Sequence, residues 1–158
     1  MEQRGLFTEV NTYFRKKTLK EDVGSLSDRA QKAVDELDKM FEEFAGLAEP
    51  IRVYRGLGSE RVALETMESL VYKDGGYSST SSELLPAMVY SGRAQTILVI
   101  DLPAGFKAIS INEFSRNPQE KEILLPRGVK LKLVDEPKSA KMGFTFLYVE
   151  PTNERLHT

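Results

Sequence analysis

Apolar residues recur at intervals of three and four positions between Ser27 and Leu47. The apolar positions are Ala30, Ala33, Val34, Leu37, Met40, Phe41, Phe44 and Leu47. An α-helix has about 3.6 residues per turn, so this spacing predicts an amphipathic helix with one buried face. Ser27, in the stretch SLSD, provides an N-terminal cap, and Pro50 marks the end. Less regular patterns predict two more helices, over residues 6–20 and 59–73.

The second half of the chain carries five short runs rich in Val, Ile, Leu and aromatic residues. These runs are QTILVIDL, KAISI, EKEILL, VKLKLV and FTFLYVE, and Gly or Pro stands between most of them. Runs of this kind predict β-strands, as does IRVYR at residues 51–55. YSSTS follows a DGG turn, and a helical turn is predicted near Pro86. Helices followed by a strand-rich half indicate an α+β fold rather than alternating strands and helices.

The size and balance of the chain are those of one globular domain. It has 158 residues, of which 41% are hydrophobic and 29% charged, enough to bury a core. We therefore expect a single domain over residues 1–158, with a helical region at 1–48 and a strand-rich core at 50–150. The formal net charge of -2 argues against an electrostatic grip on nucleic acid.

The side chains available for chemistry are restricted. There is no cysteine, and the single histidine, His157, is the penultimate residue, so we expect neither a disulfide, a histidine triad nor a metal site. Reactive groups must be carboxylates, guanidiniums, amines or hydroxyls. No apolar run approaches the ~20 residues of a membrane span, and the first residues lack the features of a signal peptide. These features predict a cytoplasmic monomer without a membrane segment.

Two polar stretches have the composition of a ligand site. In VYRGLGSER (53–61), a strand arginine is followed by Gly56 and Gly58 and then by a helix start, an arrangement that can cradle phosphate. Arg61 stands where the dinucleotide fingerprint needs glycine, and there is no Walker lysine, so a plain strand-to-helix turn remains an alternative. GGYSSTSS (75–82) offers hydroxyls for hydrogen bonds to a ligand, or to its own backbone in a turn.

A third stretch, NPQEKEILLPRG (117–128), places two carboxylates at the start of a strand. Side chains alternate along an extended chain, so Glu120 and Glu122 point to one face and Lys121 to the other. Two acids on one face repel each other. The pair is therefore either a solvated strand end or a functional pair.

In this order, the three stretches resemble the motifs of the mono-ADP-ribosyltransferases. The likeness is to the branch with Arg, Ser-Thr-Ser and Glu-x-Glu, which includes clostridial-type toxins and bacteriophage transferases. The matching segments are VYRGL (53–57), GYSSTS (76–81) and EKEILLPRGVKLKL (120–133). That family has N-terminal helices on two small, roughly perpendicular, mainly antiparallel sheets around an NAD cleft. The resemblance implies the same fold, a catalytic core at 50–150, NAD as a substrate without a metal, and a protein acceptor, probably from a host cell. If the protein is a phage or secreted effector, it would act in the host cytoplasm.

The resemblance also implies roles for residues that bind NAD. Arg55, with Gly56 beside it, would hold the phosphate and ribose region, for which a planar guanidinium fork is suited. Arg93 would be a second phosphate-binding arginine. Tyr77 would line the nicotinamide pocket, and the pair Thr80 and Ser81 would shape it.

Three further residues would carry the catalysis. Ser79 would help to hold Glu122, the invariant acid of the family motif, which would bind the nicotinamide ribose. Glu120 would face the incoming acceptor. Because relatives with Gln at this earlier position modify other side chains, Glu120 favours an arginine acceptor.

Two other functions remain open at this point. An NAD glycohydrolase would use water as the acceptor, and a non-catalytic domain would keep the cleft for a nucleotide or a partner protein. The set of Arg55, Ser79 and Glu122 argues against the second of these. The chain departs from many relatives in the turn before Glu-x-Glu, where it has Asn117-Pro118 instead of an aromatic residue and Phe114 as the nearest ring.

Overall fold

The computed structural model describes residues 2–21, 24–110, 122–139 and 141–152. Four α-helices lie in these ranges: α1 (Glu2–Thr18), α2 (Asp28–Glu43), α3 (Glu60–Ser69) and α4 (Leu84–Ser91). The strands are β1 (Ile51–Leu57), β2 (Val71–Lys73), β3 (Ser78–Ser81), β4 (Thr96–Leu102), β5 (Ile109–Ser110), β6 (Glu122–Leu125), β7 (Lys130–Leu133), β8 (Lys138–Ser139) and β9 (Thr145–Pro151). The predicted α+β class is confirmed.

The strands form one hydrogen-bonded series in the order β2-β7-β9-β4-β1-β3-β6-β5, with β8 added to β9. Pairing is antiparallel except between β4 and β9, which run parallel. The series has a narrow junction, because β1 and β3 are in register at Tyr54 and Ser81, whereas β1 pairs with β4 along its whole length. Two groups of strands therefore meet at a single residue pair.

Each group of strands has its own buried cluster. The larger cluster joins β1, β4, β7 and β9 to α3, and it includes Val53, Leu98, Ile100, Leu131 and Leu147, each fully buried. The second packs α1 and α2 on β3 and β6, and it includes Val10, Phe14, Val34, Phe41 and Leu124. Alternation along the strands produces both clusters, since every second side chain points to the same face.

Helix α2 begins where the sequence predicts. Ser27 is its N-cap and accepts a hydrogen bond from the Ala30 N–H at 3.2 Å, and Glu9 of α1 accepts bonds from the Ser27 N–H and hydroxyl. The helix ends at Glu43, well before the predicted stop at Pro50.

The prediction of a helix over residues 59–73 is wrong at its C-terminal end. Helix α3 ends at Ser69 because Leu70 adopts a left-handed conformation with φ 65°, which reverses the chain. Val71–Lys73 then form β2 and pair with β7. The apolar periodicity of a helix and that of a half-buried strand are not distinguishable over three residues.

In the part of the chain that the structure describes, none of the helices is long and apolar enough to cross a bilayer.

Candidate active site

A cavity of about 670 Å³ opens beside the junction between β1 and β3. Its size is within the range of small-molecule sites. It is bounded by α1, β1, β3, α4 and the first residue of β6. Most of the predicted site residues line it, namely Arg55, Gly56, Tyr77, Ser79, Thr80, Ser81 and Glu122. Three segments that lie far apart in sequence thus meet at one cleft.

Arg55 projects from the buried face of β1 towards this cleft. Its neighbours on that face, Val53 and Leu57, are core residues, and its own side chain is only 13% exposed. The guanidinium donates from Nε to the Tyr72 hydroxyl at 3.1 Å and from Nη1 to the Ser79 carbonyl oxygen at 2.7 Å. These bonds orient the planar group, so that Arg55 is held before any ligand arrives.

Asp74 is a buried carboxylate beneath the cleft, and its side chain is 3% exposed. Arg15 of α1 donates to it from Nε at 2.8 Å and from Nη2 at 3.1 Å. The Ser78 hydroxyl and the Gly76 N–H donate at 2.7 and 2.9 Å, and Nη2 of Arg55 lies 3.8 Å away. One carboxylate therefore joins two cleft-lining arginines, Arg15 and Arg55.

The charges in this cluster set the protonation of its members. Burial by itself would raise the pKa of Asp74, but the hydrogen bonds and charge of Arg15, the charge of Arg55 and the Ser78 hydroxyl lower it further, and the net shift is downward. Burial likewise opposes the charge of Arg55, yet Tyr72 and Asp74 outweigh it and the pKa of Arg55 is raised. All three groups are ionised at neutral pH.

Acid should remove part of the stability of the fold through Asp74. A carboxylate whose pKa is lower in the folded than in the unfolded state stabilises the fold above its unfolded value of 3.8, and this contribution is lost as the pH falls through the lower, folded value. We therefore expect the free energy of unfolding, measured in urea between pH 2 and 6, to fall less steeply with acid in Asp74→Asn than in the wild type. Asp101→Asn, which removes the half-exposed bidentate partner of Arg52, is the control. Equal slopes in wild type and Asp74→Asn would contradict the assignment.

The Ser-Thr-Ser strand presents its residues to β6 in a fixed register. Ser81 lies opposite Glu122, whereas Ser79 lies opposite Leu124. Alternation places Ser79 and Ser81 on the side of Glu122, while Thr80 turns away and donates to the Ile123 carbonyl oxygen at 2.7 Å. Glu122 is partly buried. The direct neighbour of the glutamate across the ladder is therefore Ser81, and the predicted role of Ser79 in holding Glu122 stays a prediction.

Tyr77 anchors the cleft to the N-terminal helices. It is 1% exposed, its ring stacks on Phe41 at 6.0 Å, and its hydroxyl donates to Asp38 at 2.5 Å. Burial and the neighbouring Asp38 raise the pKa of this hydroxyl. The Tyr77 N–H donates to Asn11 at 2.8 Å. Tyr77 thus lines the cleft from below, and its polar group is already engaged.

Arg93 does not join the other predicted residues. It lies in the short 3-10 turn Gly92–Ala94 after α4, and it is exposed outside the lining of the cleft. The cleft instead receives its second arginine from α1, as Arg15. Glu120 lies outside the described residues, so its predicted role stays a prediction.

Helix α4 forms an apolar wall of the cleft. Leu85, Val89 and Tyr90 line it and are 68%, 75% and 67% exposed. The helix lies directly on β1 at Gly56, where a Cβ atom would come within 2.1 Å of the Ala87 carbonyl oxygen. Gly56 is therefore needed for the packing of this wall, a role that the sequence did not indicate.

Three functional neighbours escape the sequence analysis: Asn11, Arg15 and Asp74. Nothing in the sequence around Asn11 and Arg15 distinguishes them from other polar residues on a surface helix. Asp74 precedes Gly75-Gly76 and reads as part of a turn. The close approach of α1 explains these glycines, since Cβ atoms there would lie 2.1 Å from Thr18 Oγ1 and 2.6 Å from Asn11 Oδ1.

The cleft combines two guanidiniums, a carboxylate and several hydroxyls with an apolar wall. Paired guanidiniums suit the oxygens of a diphosphate. A fixed carboxylate can stabilise the positive charge that develops when a glycosidic bond breaks. Among the described residues there is no group of three acidic, histidine or cysteine side chains that could hold a metal ion.

Solved structures with the same fold are ADP-ribosyltransferases from bacteria. The C3 exoenzyme of Clostridium limosum has a TM-score of 0.72 and 20% identity, covering 92% of this chain and 79% of that one. C3stau2 from S. aureus, solved with NAD, has a TM-score of 0.67 and 20% identity, covering 96% and 88%. Exoenzyme S from Pseudomonas aeruginosa, solved with human 14-3-3 protein beta and carba-NAD, has a TM-score of 0.71 and 19% identity, and this chain covers 66% of its length with 91% of its own.

Fold and cleft together define an NAD-dependent ADP-ribosyltransferase. Residues 4–155 match the family model of the ADP-ribosyltransferase exoenzymes, and the chain belongs to that family. No curated protein matches it in sequence. The predicted likeness to the clostridial-type enzymes is confirmed, whereas the likeness to bacteriophage transferases stays a prediction.

Proposed function

We propose that the protein cleaves NAD and transfers ADP-ribose to an arginine side chain of a target protein, with release of nicotinamide. The observation that carries this proposal is the position of Glu122. It begins β6 opposite Ser81, in the same cleft as the cluster of Arg15, Asp74 and Arg55. A carboxylate and a diphosphate-binding group are the two parts that the reaction needs.

Arg15 and Arg55 would hold the diphosphate of NAD. Both line the cleft, and a guanidinium offers parallel N–H donors that match phosphate oxygens. Arg15 replaces Arg93 in this proposal because its side chain reaches the cleft and is 43% exposed there. NAD is the substrate of the reaction, and the NAD and carba-NAD complexes of C3stau2 and exoenzyme S support its placement in this cleft.

Glu122 would act on the nicotinamide ribose. The bond between the ribose carbon and the nicotinamide nitrogen breaks, and its electron pair leaves with nicotinamide, whose ring nitrogen loses its positive charge. Positive charge then develops on the ribose, as in glycosidases, and the Glu122 carboxylate stabilises it electrostatically.

Glu120 would prepare the acceptor. A guanidinium is protonated at neutral pH and is a poor nucleophile. As its nitrogen forms the new bond to the ribose carbon, a proton must leave, and a second carboxylate two residues before Glu122 can accept it. The exposed apolar wall of Leu85, Val89 and Tyr90 supports a protein as the acceptor, because such surfaces are typical of protein contacts.

Glu120→Gln should separate transfer from cleavage. We expect it to lower ADP-ribose transfer about 10²- to 10⁴-fold, the usual contribution of a general base, while NAD cleavage with water as acceptor continues at a similar rate. Nicotinamide release and labelling of protein by tagged NAD are measured in a host lysate, with Glu36→Gln, on exposed α2 surface, as control. Equal losses in the two assays would contradict the division of roles.

The same experiment distinguishes the other candidate functions. Mass spectrometry of the labelled protein identifies the modified side chain, and labelling at a residue other than arginine would overturn the arginine proposal. Nicotinamide release by the wild type without any labelled macromolecule would favour a glycohydrolase. Neither release nor labelling would favour a non-catalytic binding domain.

A further inference from the structure

Asp74 has more donors around it than a simple structural ion pair requires. Arg15 binds both of its oxygens, Gly76 adds a backbone N–H, and Ser78 adds a hydroxyl that is fully buried. The second oxygen also faces Nη2 of Arg55 at 3.8 Å. The carboxylate is thus fixed from one side by the turn at residues 74–78 and offers its remaining capacity to the two arginines.

The two arginines need such a group if they are to act together. Two guanidiniums in one cleft repel each other, and the charge of Arg55 acts on Arg15 in the folded protein. A single carboxylate between them compensates half of that repulsion and leaves one net positive charge at the surface of the cleft. Complete neutralisation by a second acid would abolish the attraction for an anionic ligand.

The exposures of the three groups fit a layered arrangement. Asp74 is 3% exposed, Arg55 13% and Arg15 43%, so the carboxylate lies beneath and the guanidiniums lie above it. Asp74 is not among the residues that line the cleft. It can therefore act on a ligand only through the arginines.

We infer that Asp74 is a positioning residue for NAD, which holds Arg15 and Arg55 together as one binding group for the diphosphate. This inference rests on the proposed function. It assigns to α1 a part of the substrate site that is assembled only when Arg15 is joined to the turn before β3.

Asp74→Asn is the variant that tests this inference. The amide keeps the size of the side chain and one oxygen acceptor for Gly76, but it places an NH₂ donor against the donors of Arg15 and Arg55. The charge-assisted bonds are lost, and the guanidiniums are expected to separate. Because bonds to charged groups are the strong ones, we expect ADP and carba-NAD to bind about ten- to hundredfold more weakly.

Calorimetric titration with three probes locates the effect. Carba-NAD lacks the ring oxygen that assists cleavage and so stays intact, ADP carries the diphosphate alone, and adenosine carries none. For Asp74→Asn we expect weaker binding of carba-NAD and ADP, with adenosine within twofold of the wild type, and a raised KM for NAD with kcat within about threefold. Arg15→Ala combined with Asp74→Asn should weaken ADP binding no further than the more damaging single change, because both act on one group. Asp101→Asn, which removes a bidentate pair with Arg52 of the same geometry away from the cleft, should leave all three unchanged.

The outcomes separate this inference from the function on which it rests. If the wild type binds ADP and carba-NAD and Asp74→Asn binds them equally well, or if adenosine is weakened to the same extent, Asp74 has no positioning role. If the wild type binds neither ADP nor carba-NAD, the proposed function itself fails. Should Asp74→Asn not fold, as shown by circular dichroism, Ser78→Ala tests the same group by removing one bond to Asp74. A KM for NAD unchanged from the wild type in Ser78→Ala would overturn the inference, and a rise of about threefold with constant kcat is expected.

Discussion

Replacing Glu122 with glutamine is expected to abolish both nicotinamide release and ADP-ribose transfer, with a loss of about 10³-fold in each. The amide keeps the shape of the side chain and its place opposite Ser81, so the cleft should persist. What disappears is the negative charge that stabilises the ribose as the glycosidic bond breaks. Since cleavage precedes both possible fates of the ribose, water and protein acceptors are affected alike. This distinguishes Glu122 from Glu120, whose replacement should affect transfer alone.

The matched control is Glu150→Gln. Glu150 is also a strand glutamate, in β9, and is half exposed beside Lys132 at 3.5 Å, away from the cleft. Nicotinamide release, transfer and carba-NAD binding are compared in both variants. Carba-NAD should bind Glu122→Gln within about tenfold of the wild type, which would show that the site is intact. Nicotinamide release by Glu122→Gln within tenfold of the wild type would contradict a catalytic role.

Replacing Gly56 with alanine is expected to lower the free energy of unfolding by about 3 kcal/mol or more, at the upper end for an overpacked site. The new Cβ would lie 2.1 Å from the Ala87 carbonyl oxygen and 2.7 Å from the Ser91 nitrogen. Both are backbone atoms of α4, which cannot move aside like the end of a side chain. The helix must shift away from β1, and the apolar wall of the cleft shifts with it.

Gly58→Ala is the natural control for this prediction. Its Cβ would meet the Tyr90 carbonyl oxygen at 3.6 Å and the Tyr90 ring at 3.8 Å, which are ordinary contacts. Urea unfolding should therefore show a change within about 0.5 kcal/mol for Gly58→Ala. Equal destabilisation in the two variants would indicate that the close packing of α4 on Gly56 is not the reason for glycine at that position.

The sequence predicted the helical elements where a long apolar pattern existed and failed where it was short. The apolar residues of α2 run over four turns, and both the helix and its cap at Ser27 are confirmed. At Val71–Lys73 three residues continue a helical pattern, and pairing with β7 decides otherwise. Tertiary hydrogen bonds outweigh local preference in a segment of this length.

The candidate site was predictable in its parts but not in its connections. Arg55, the Ser-Thr-Ser strand and Glu122 were found from their order along the chain, and the structure brings them to one cleft. The exchange of Arg93 for Arg15 was not predictable, because an arginine on an irregular helix carries no local signal of its partner. Arg15 and Asp74 are separated by 59 positions.

By itself, the sequence determined the α+β class, the core-forming faces and the chemical groups available for catalysis. These follow from periodicity and composition, which are properties of neighbouring residues. Only the tertiary structure decided that Asp74 joins α1 to the cleft, that Ser81 lies opposite Glu122, and that Gly56 makes room for α4. The physical reason is the same in each case: burial of a charge, strand register and backbone contact depend on which distant segments meet.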